Sequence, residues 1–146
     1  MKKIFINAFK KDNFNILFFN DVNMRYRSNY RKIYKQKMGY IGFVQDHHCI
    51  PKQHRNHELL KKINFNIHDS TNLIIMPNKL GIEKLNLNPR RLIHDGGHIA
   101  FNKYILTELN EINKIDNVEE CKYEVYQLLH FIKKNMNMNE DNLPWK

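Results

Sequence analysis

Residues 46–77 read DHHCIPKQHRNHELLKKINFNIHDSTNLIIMP, and residues 90–105 read RRLIHDGGHIAFNKYI. These two stretches hold most of the eight histidines of a 146-residue chain. Asp46, His47 and His48 lie near the end of an apolar run, residues 40–50, that reads as a strand closed by Pro51. Residues 54–63 look helical, with Leu59, Leu60 and Ile63 on one side, and residues 64–71 are polar and loop-like. Asn72 heads a second short apolar strand, residues 73–76, which Pro77 stops. His94 and His98 then form an H-x3-H pair at the start of a helix expected from about Gly96 or Gly97, on which Asn102, Ile105, Leu109 and Ile112 recur at helical spacing.

This order of histidines suggests chemistry. Residues four apart on a helix share a face, so a helix already formed at His94 would present His94 and His98 to one ion. A third ligand must then come from elsewhere in the chain. Imidazole is a common ligand of transition metals, and three protein ligands leave positions open for water and substrate. Neighbours on a strand point to opposite faces, so His47 and His48 are expected to do different jobs. One would bind the ion, and the other would stand clear to hold a water, for which a neutral imidazole is a suitable base near pH 7. His54, His57, His68 and His130 read as solvent-facing or structural.

Further out, residues 1–20 read as two short strands around a turn at residues 10–13. Residues 21–37 read as a basic helix capped by Asp21 or Asn23. Tyr26, Tyr30, Ile33 and Tyr34 would line one face, arginines and lysines the rest, and Gly39 would end it. Residues 79–88 suggest one helical turn and a loop, and Pro89 is placed to open the next element. A last helix over residues 118–135 turns Val118, Cys121, Val125, Leu128, Leu129 and Ile132 inward. The polar residues 136–146 read as a loosely held tail. With no repeat and no linker, one domain is expected over 1–146: a hairpin and basic helix (1–39), a core (40–105) and C-terminal helices with a tail (106–146).

The formal charge is +9, which favours a polyanionic partner. Asn, Lys and Ile are abundant, as in proteins of AT-rich genomes, and this bias accounts for part of that charge. Cys49 and Cys121 form no CxxC pair, which argues against a disulfide scaffold and against zinc knuckles and favours a reducing compartment. No apolar run reaches the length of a membrane span, and Lys10, Lys11 and Asp12 interrupt the start too early for a signal peptide. The expectation is an intracellular protein (cytoplasm, nucleus, or virion or factory of a virus with an AT-rich genome) with no membrane partner.

The ordered combination resembles the HNH, or ββα-metal, nuclease superfamily, and within it the group named for an Ala-His-His motif. The likeness spans about residues 47–105. It rests on a double histidine, an apolar residue and Pro-Lys; then a helix; then N-x4-P; then H-x-G-x-H followed by an asparagine and aromatics. Two positions depart from the pattern: Asp46 stands where Ala is usual, and Glu58 follows His57 where Pro is common. The resemblance implies an α+β fold with a ββα-metal core, a hairpin and helix clasping one divalent ion (zinc, magnesium, manganese or nickel). It implies His47, His94 and His98 as metal ligands and His48 as general base. Asn72, the asparagine of the HNH name, would bind metal or, as favoured here, fix the loop carrying the base. Whether Asp46 joins the ligands is left open. Arg90 and Arg91, just before the H-x3-H pair, are candidates to hold a phosphate. The implied activity is metal-dependent endonuclease cleavage, of DNA first and with little sequence preference, leaving 5′-phosphate and 3′-hydroxyl ends. An inhibitor or a larger assembly would be compatible partners. A metal-stabilised binding module without turnover and an RNA-cleaving toxin are the competing readings.

Overall fold

In the computed structural model, the described residues are 22–94, 96–137 and 143–145. The hairpin expected over residues 1–20 lies outside them. Seven regular elements follow in chain order: α1 (Asn29–Lys37), β1 (Val44–His48), α2 (Glu58–Lys62), β2 (Leu73–Pro77), α3 (Lys79–Lys84), α4 (Ile99–Ile112) and α5 (Val118–Asn137), with 3-10 turns at Val22–Met24, Lys52–His54 and Ser70–Asn72. Among the described residues the architecture is mixed α/β, with one small two-stranded antiparallel sheet among helices, and is compatible with an HNH-type nuclease. Among the described residues, no helix is long and apolar enough to cross a membrane.

The sheet is the partition of the molecule. In its register Asp46 faces Ile75, His47 faces Ile74 and His48 faces Leu73. Strand side chains alternate between faces. Ile74 and Met76 therefore enter the larger core, built with Phe101, Ile105 and Leu109 of α4 and Val125, Leu129 and Ile132 of α5. Ile75 enters a smaller cluster with Met24, Tyr34 and Tyr40 on the α1 side. Burial on both faces explains why β2 is apolar without alternation, and all five of its residues are buried.

The basic helix departs from the reading of its sequence. It starts at Asn29, not Asp21, because the Ser28 side chain accepts from Arg31 N–H at 3.1 Å and caps it. Its expected aromatic face is buried at Tyr34 but not along its length. Tyr30 and Ile33 are 57% and 47% exposed, while Arg31 is only 3% exposed. The cause is Asp46. On the α1 face of β1 its carboxylate takes Arg31 Nη2 and Nε at 2.8 Å and Lys35 Nζ at 2.7 Å, which turns the charged side of α1 inward. Asp46 thus clamps α1 to the sheet, on the face opposite His47, and is not among the residues whose ligand atoms converge with that histidine.

Three further expectations are corrected. α4 begins at Ile99, so His94 lies in a loop and not on the helix. Gly96, at φ 104°, holds a left-handed turn that only glycine adopts freely, and this ends any helical path through that segment. Pro89 opens no helix. The C-terminal residues that are described are not loose: Leu143 and Trp145 are buried in the main core, and Trp145 C=O accepts from Phe101 N–H at 3.3 Å. Along α5 the expected apolar face is buried except Val118, which is 43% exposed in the first turn. Cys49 and Cys121 are free and buried, and burial pushes the Cys49 thiol up to about 11, so it stays protonated at neutral pH.

Candidate active site

His47, His94 and His98 each offer one ring nitrogen within 4.8 Å of the others. They come from three different places. His47 sits on β1 and points to the α4 face. His94 sits in the loop after α3, its N–H held by the Pro77 carbonyl at 3.0 Å. His98 occupies the N-cap position of α4. The rings meet edge to face, with centroids 5.0 Å apart for His47 and His98 and 5.5 Å for His47 and His94.

Hydrogen bonds fix which nitrogens face inward. His94 Nδ1–H donates to Gln45 Oε1 at 2.6 Å, and His98 Nδ1–H donates to Asn102 Oδ1 at 3.0 Å. Each bond leaves the lone pair on Nε2, the arrangement in which an outer partner orients a metal-binding imidazole. His47 Nε2 is buried and has no hydrogen-bond partner. A buried polar atom left in that state is costly unless a ligand satisfies it. Burial, then the neighbouring His98 and His94, holds the His47 pKa well below its usual value, so the ring is neutral as ligation requires. The donor set fits one transition-metal ion. Trp145 closes the inner side, its ring centroid 5.2 Å from that of His47 and 5.0 Å from that of His98.

His48 points to the other face of the strand, yet lines the same cleft, of about 670 Å³, as the three histidines. Its surroundings differ. His48 Nε2 is 3.2 Å from His68 Nδ1, and the Tyr26 ring meets it edge-on at 4.6 Å. Burial first, then Lys52, lowers its pKa to about 4. Sequence reasoning placed His68 among the solvent-facing or structural histidines. The structure makes it the hydrogen-bond partner of His48, stacked on Tyr26 at 5.4 Å.

Asn72 is fully buried and does not line the cleft. Its Oδ1 accepts from Ile50 N–H at 2.7 Å, and its Nδ2 donates to Ile50 C=O at 3.0 Å and Ile67 C=O at 2.9 Å. Its carbonyl accepts from Cys49 N–H at 2.7 Å. It ties the chain just after His48 to the turn before β2. Arg90 and Arg91 do not line the cleft either, and Arg91 is buried. The cations there are Arg27, Lys35 and Lys52. His54 and His57 are structural: His54 Nε2 bonds the Asn102 carbonyl at 3.0 Å, and His57 caps α2 through Nδ1 while Nε2–H donates to Asn110 Oδ1 at 2.7 Å.

Some missed residues had a signal. Gln45 precedes His47 by two and must share its strand face, and Asn102 follows His98 by four. Nothing local in the sequence marks Trp145 or His68.

A histidine trio at the junction of a small antiparallel sheet and a helix, with a fourth histidine beside it, defines a class of candidate metal-dependent hydrolase sites. The chain belongs to the AHH family, a nuclease family of the HNH/ENDO VII superfamily with conserved AHH, whose model matches residues 29–137. It is therefore a nuclease of that superfamily. No curated protein and no solved structure matches it.

Proposed function

We propose that this nuclease is a metal-dependent endonuclease that hydrolyses phosphodiester bonds, in DNA first, with β1, β2 and α4 as its ββα-metal motif. The observation that carries the reading is the convergence of three imidazole nitrogens within 4.8 Å, one of them, His47 Nε2, buried and unsatisfied. His47, His94 and His98 would hold one divalent ion, and an all-imidazole set favours zinc or nickel over magnesium. When bound, such an ion supplies Lewis-acid stabilisation of the charge that grows on the phosphoryl oxygens.

The protein's own residues account for the proton. In the tautomer in which His48 Nε2–H donates to His68 Nδ1, the lone pair of His48 lies on Nδ1. A ring with a pKa of about 4 is neutral at physiological pH and ready to take a proton from water aligned on the phosphorus. Tyr26 and His68 fix the ring plane, and Asn72 fixes the backbone that follows it. Asn72 is thus a positioning residue. The open cleft beside His48 favours turnover over a purely structural metal site, which needs ligands but no adjacent base.

The test is plasmid nicking by His48→Ala. Removing a general base costs roughly 10²–10⁴-fold in rate, so nicking should fall by that factor while metal content stays at the parental level. Nicking at the parental rate would remove His48 from the reaction.

A further inference from the structure

Beyond the four histidines the cleft carries two cations with no assigned work. Lys35 is held by Asp46. Arg27 and Lys52 have no carboxylate partner among the described residues, and both line the cleft. Both lie over the ring of Tyr26, Arg27 Cζ at 5.0 Å and Lys52 Nζ at 4.8 Å from its centroid. Tyr26 is the ring that touches His48. The two cations thus stand one ring further out along the cleft from the proposed base.

The backbone is committed to this placement. Arg27 has φ 60°, in the left-handed region that costs a side-chain-bearing residue roughly 1–2 kcal/mol. The surrounding turn maintains it: Tyr26 N–H donates to His68 C=O at 2.9 Å, Ser28 N–H to Arg25 C=O at 3.1 Å, and Ser28 Oγ–H to Asn23 C=O at 2.8 Å. Lys52 is fixed by the 3-10 turn that follows Pro51. Strain of this kind, kept where two cations border a cleft, points to a ligand.

We propose that Arg27 and Lys52 form a phosphate subsite for the nucleotide next to the cut, ordered by the Tyr26 ring. This rests on the nuclease reading and specifies its substrate: a polymer with a second backbone phosphate beside the scissile one. The subsite reads the sugar–phosphate backbone and no base, so it positions the strand without selecting sequence.

The experiment is binding, not cleavage. Affinity of the full chain for a fluorescent 20-base-pair DNA, and for RNA of the same sequence, is measured in EDTA over a series of KCl concentrations. Arg27→Gly suits the positive φ, and Lys52→Ala removes the second cation. Lys122→Ala, on the exposed side of α5, controls for net charge. Each phosphate contact contributes about 0.9 to the slope of log affinity against log salt on duplex DNA. The double variant should lose roughly 1.8 from that slope, with Lys122→Ala unchanged. The tighter wild-type ligand identifies the natural backbone. Equal slopes for the wild type and the double variant overturn the subsite and leave the nuclease reading standing. A wild type that binds neither polymer also overturns the subsite, while the nuclease reading is tested separately by the nicking assay.

Discussion

Each residue of the site has its neighbours to thank for its chemical state, and Asn72 shows this most simply. All its side-chain hydrogen bonds go to backbone groups of residues 50 and 67. Asn72→Ala leaves a buried N–H and two carbonyls without partners, at about 1–3 kcal/mol each before relaxation. Thermal unfolding should show a loss of about 3 kcal/mol or more. An unchanged melting temperature with lost activity would instead place Asn72 in contact with substrate. Asp46 is read the same way. Asp46→Ala strands the buried Arg31, and breaking a buried pair costs about 3–5 kcal/mol. The melting temperature should drop while metal content stays at the parental level. Loss of metal with unchanged stability would instead place this carboxylate in the ligand set.

At the scale of elements, α5 reaches the site through one unusual contact. Lys133 is 1% exposed and donates from Nζ to the Ser70 carbonyl at 2.9 Å, in the turn that leads to Asn72. Burial lowers its pKa to about 8. Between pH 8 and the unfolded value of 10.5 the unfolded chain binds the extra proton, so folding stability rises with pH over that window and is flat below it. Relative to Lys133→Met, the wild type should gain up to roughly 3 kcal/mol from pH 7.5 to 10 in chemical denaturation. The raised pKa values of Tyr34 and Tyr40 act in the opposite sense but are common to both proteins and cancel in the difference. A difference independent of pH would show that Lys133 is solvated. The helices α4 and α5 were legible because Ile105, Leu109, Ile112 and the Cys121–Ile132 series repeat at helical spacing. α1 was misread on its buried face because Arg31 is drawn in by a carboxylate fifteen residues away, and no local pattern carries that pairing. His94 was placed on a helix for a related reason: H-x3-H spacing fits a helix, but Gly96 and the Pro77 carbonyl bring the rings together from a loop.

On the scale of the whole molecule, β1 and the segment from His94 to His98, far apart in sequence, meet at one histidine trio, and an ion held there would couple folding to metal binding. An ion at a hundred times its dissociation constant should stabilise the fold by about 2.7 kcal/mol, visible as a rise in melting temperature. Trp145 is the sole tryptophan and lies against His47 and His98, so its fluorescence should change on titration with nickel. The three histidines that converge were readable from the order of motifs, whereas the Trp145 wall and the Tyr26 shelf exist only once the chain is folded. The most direct measurement is calorimetric titration of zinc into tag-free wild type, His48→Ala and His98→Ala. One equivalent should bind tightly to the wild type and to His48→Ala, and His98→Ala should bind at least tenfold more weakly. Zinc binding by His98→Ala at wild-type affinity, or its loss in His48→Ala, would contradict the account.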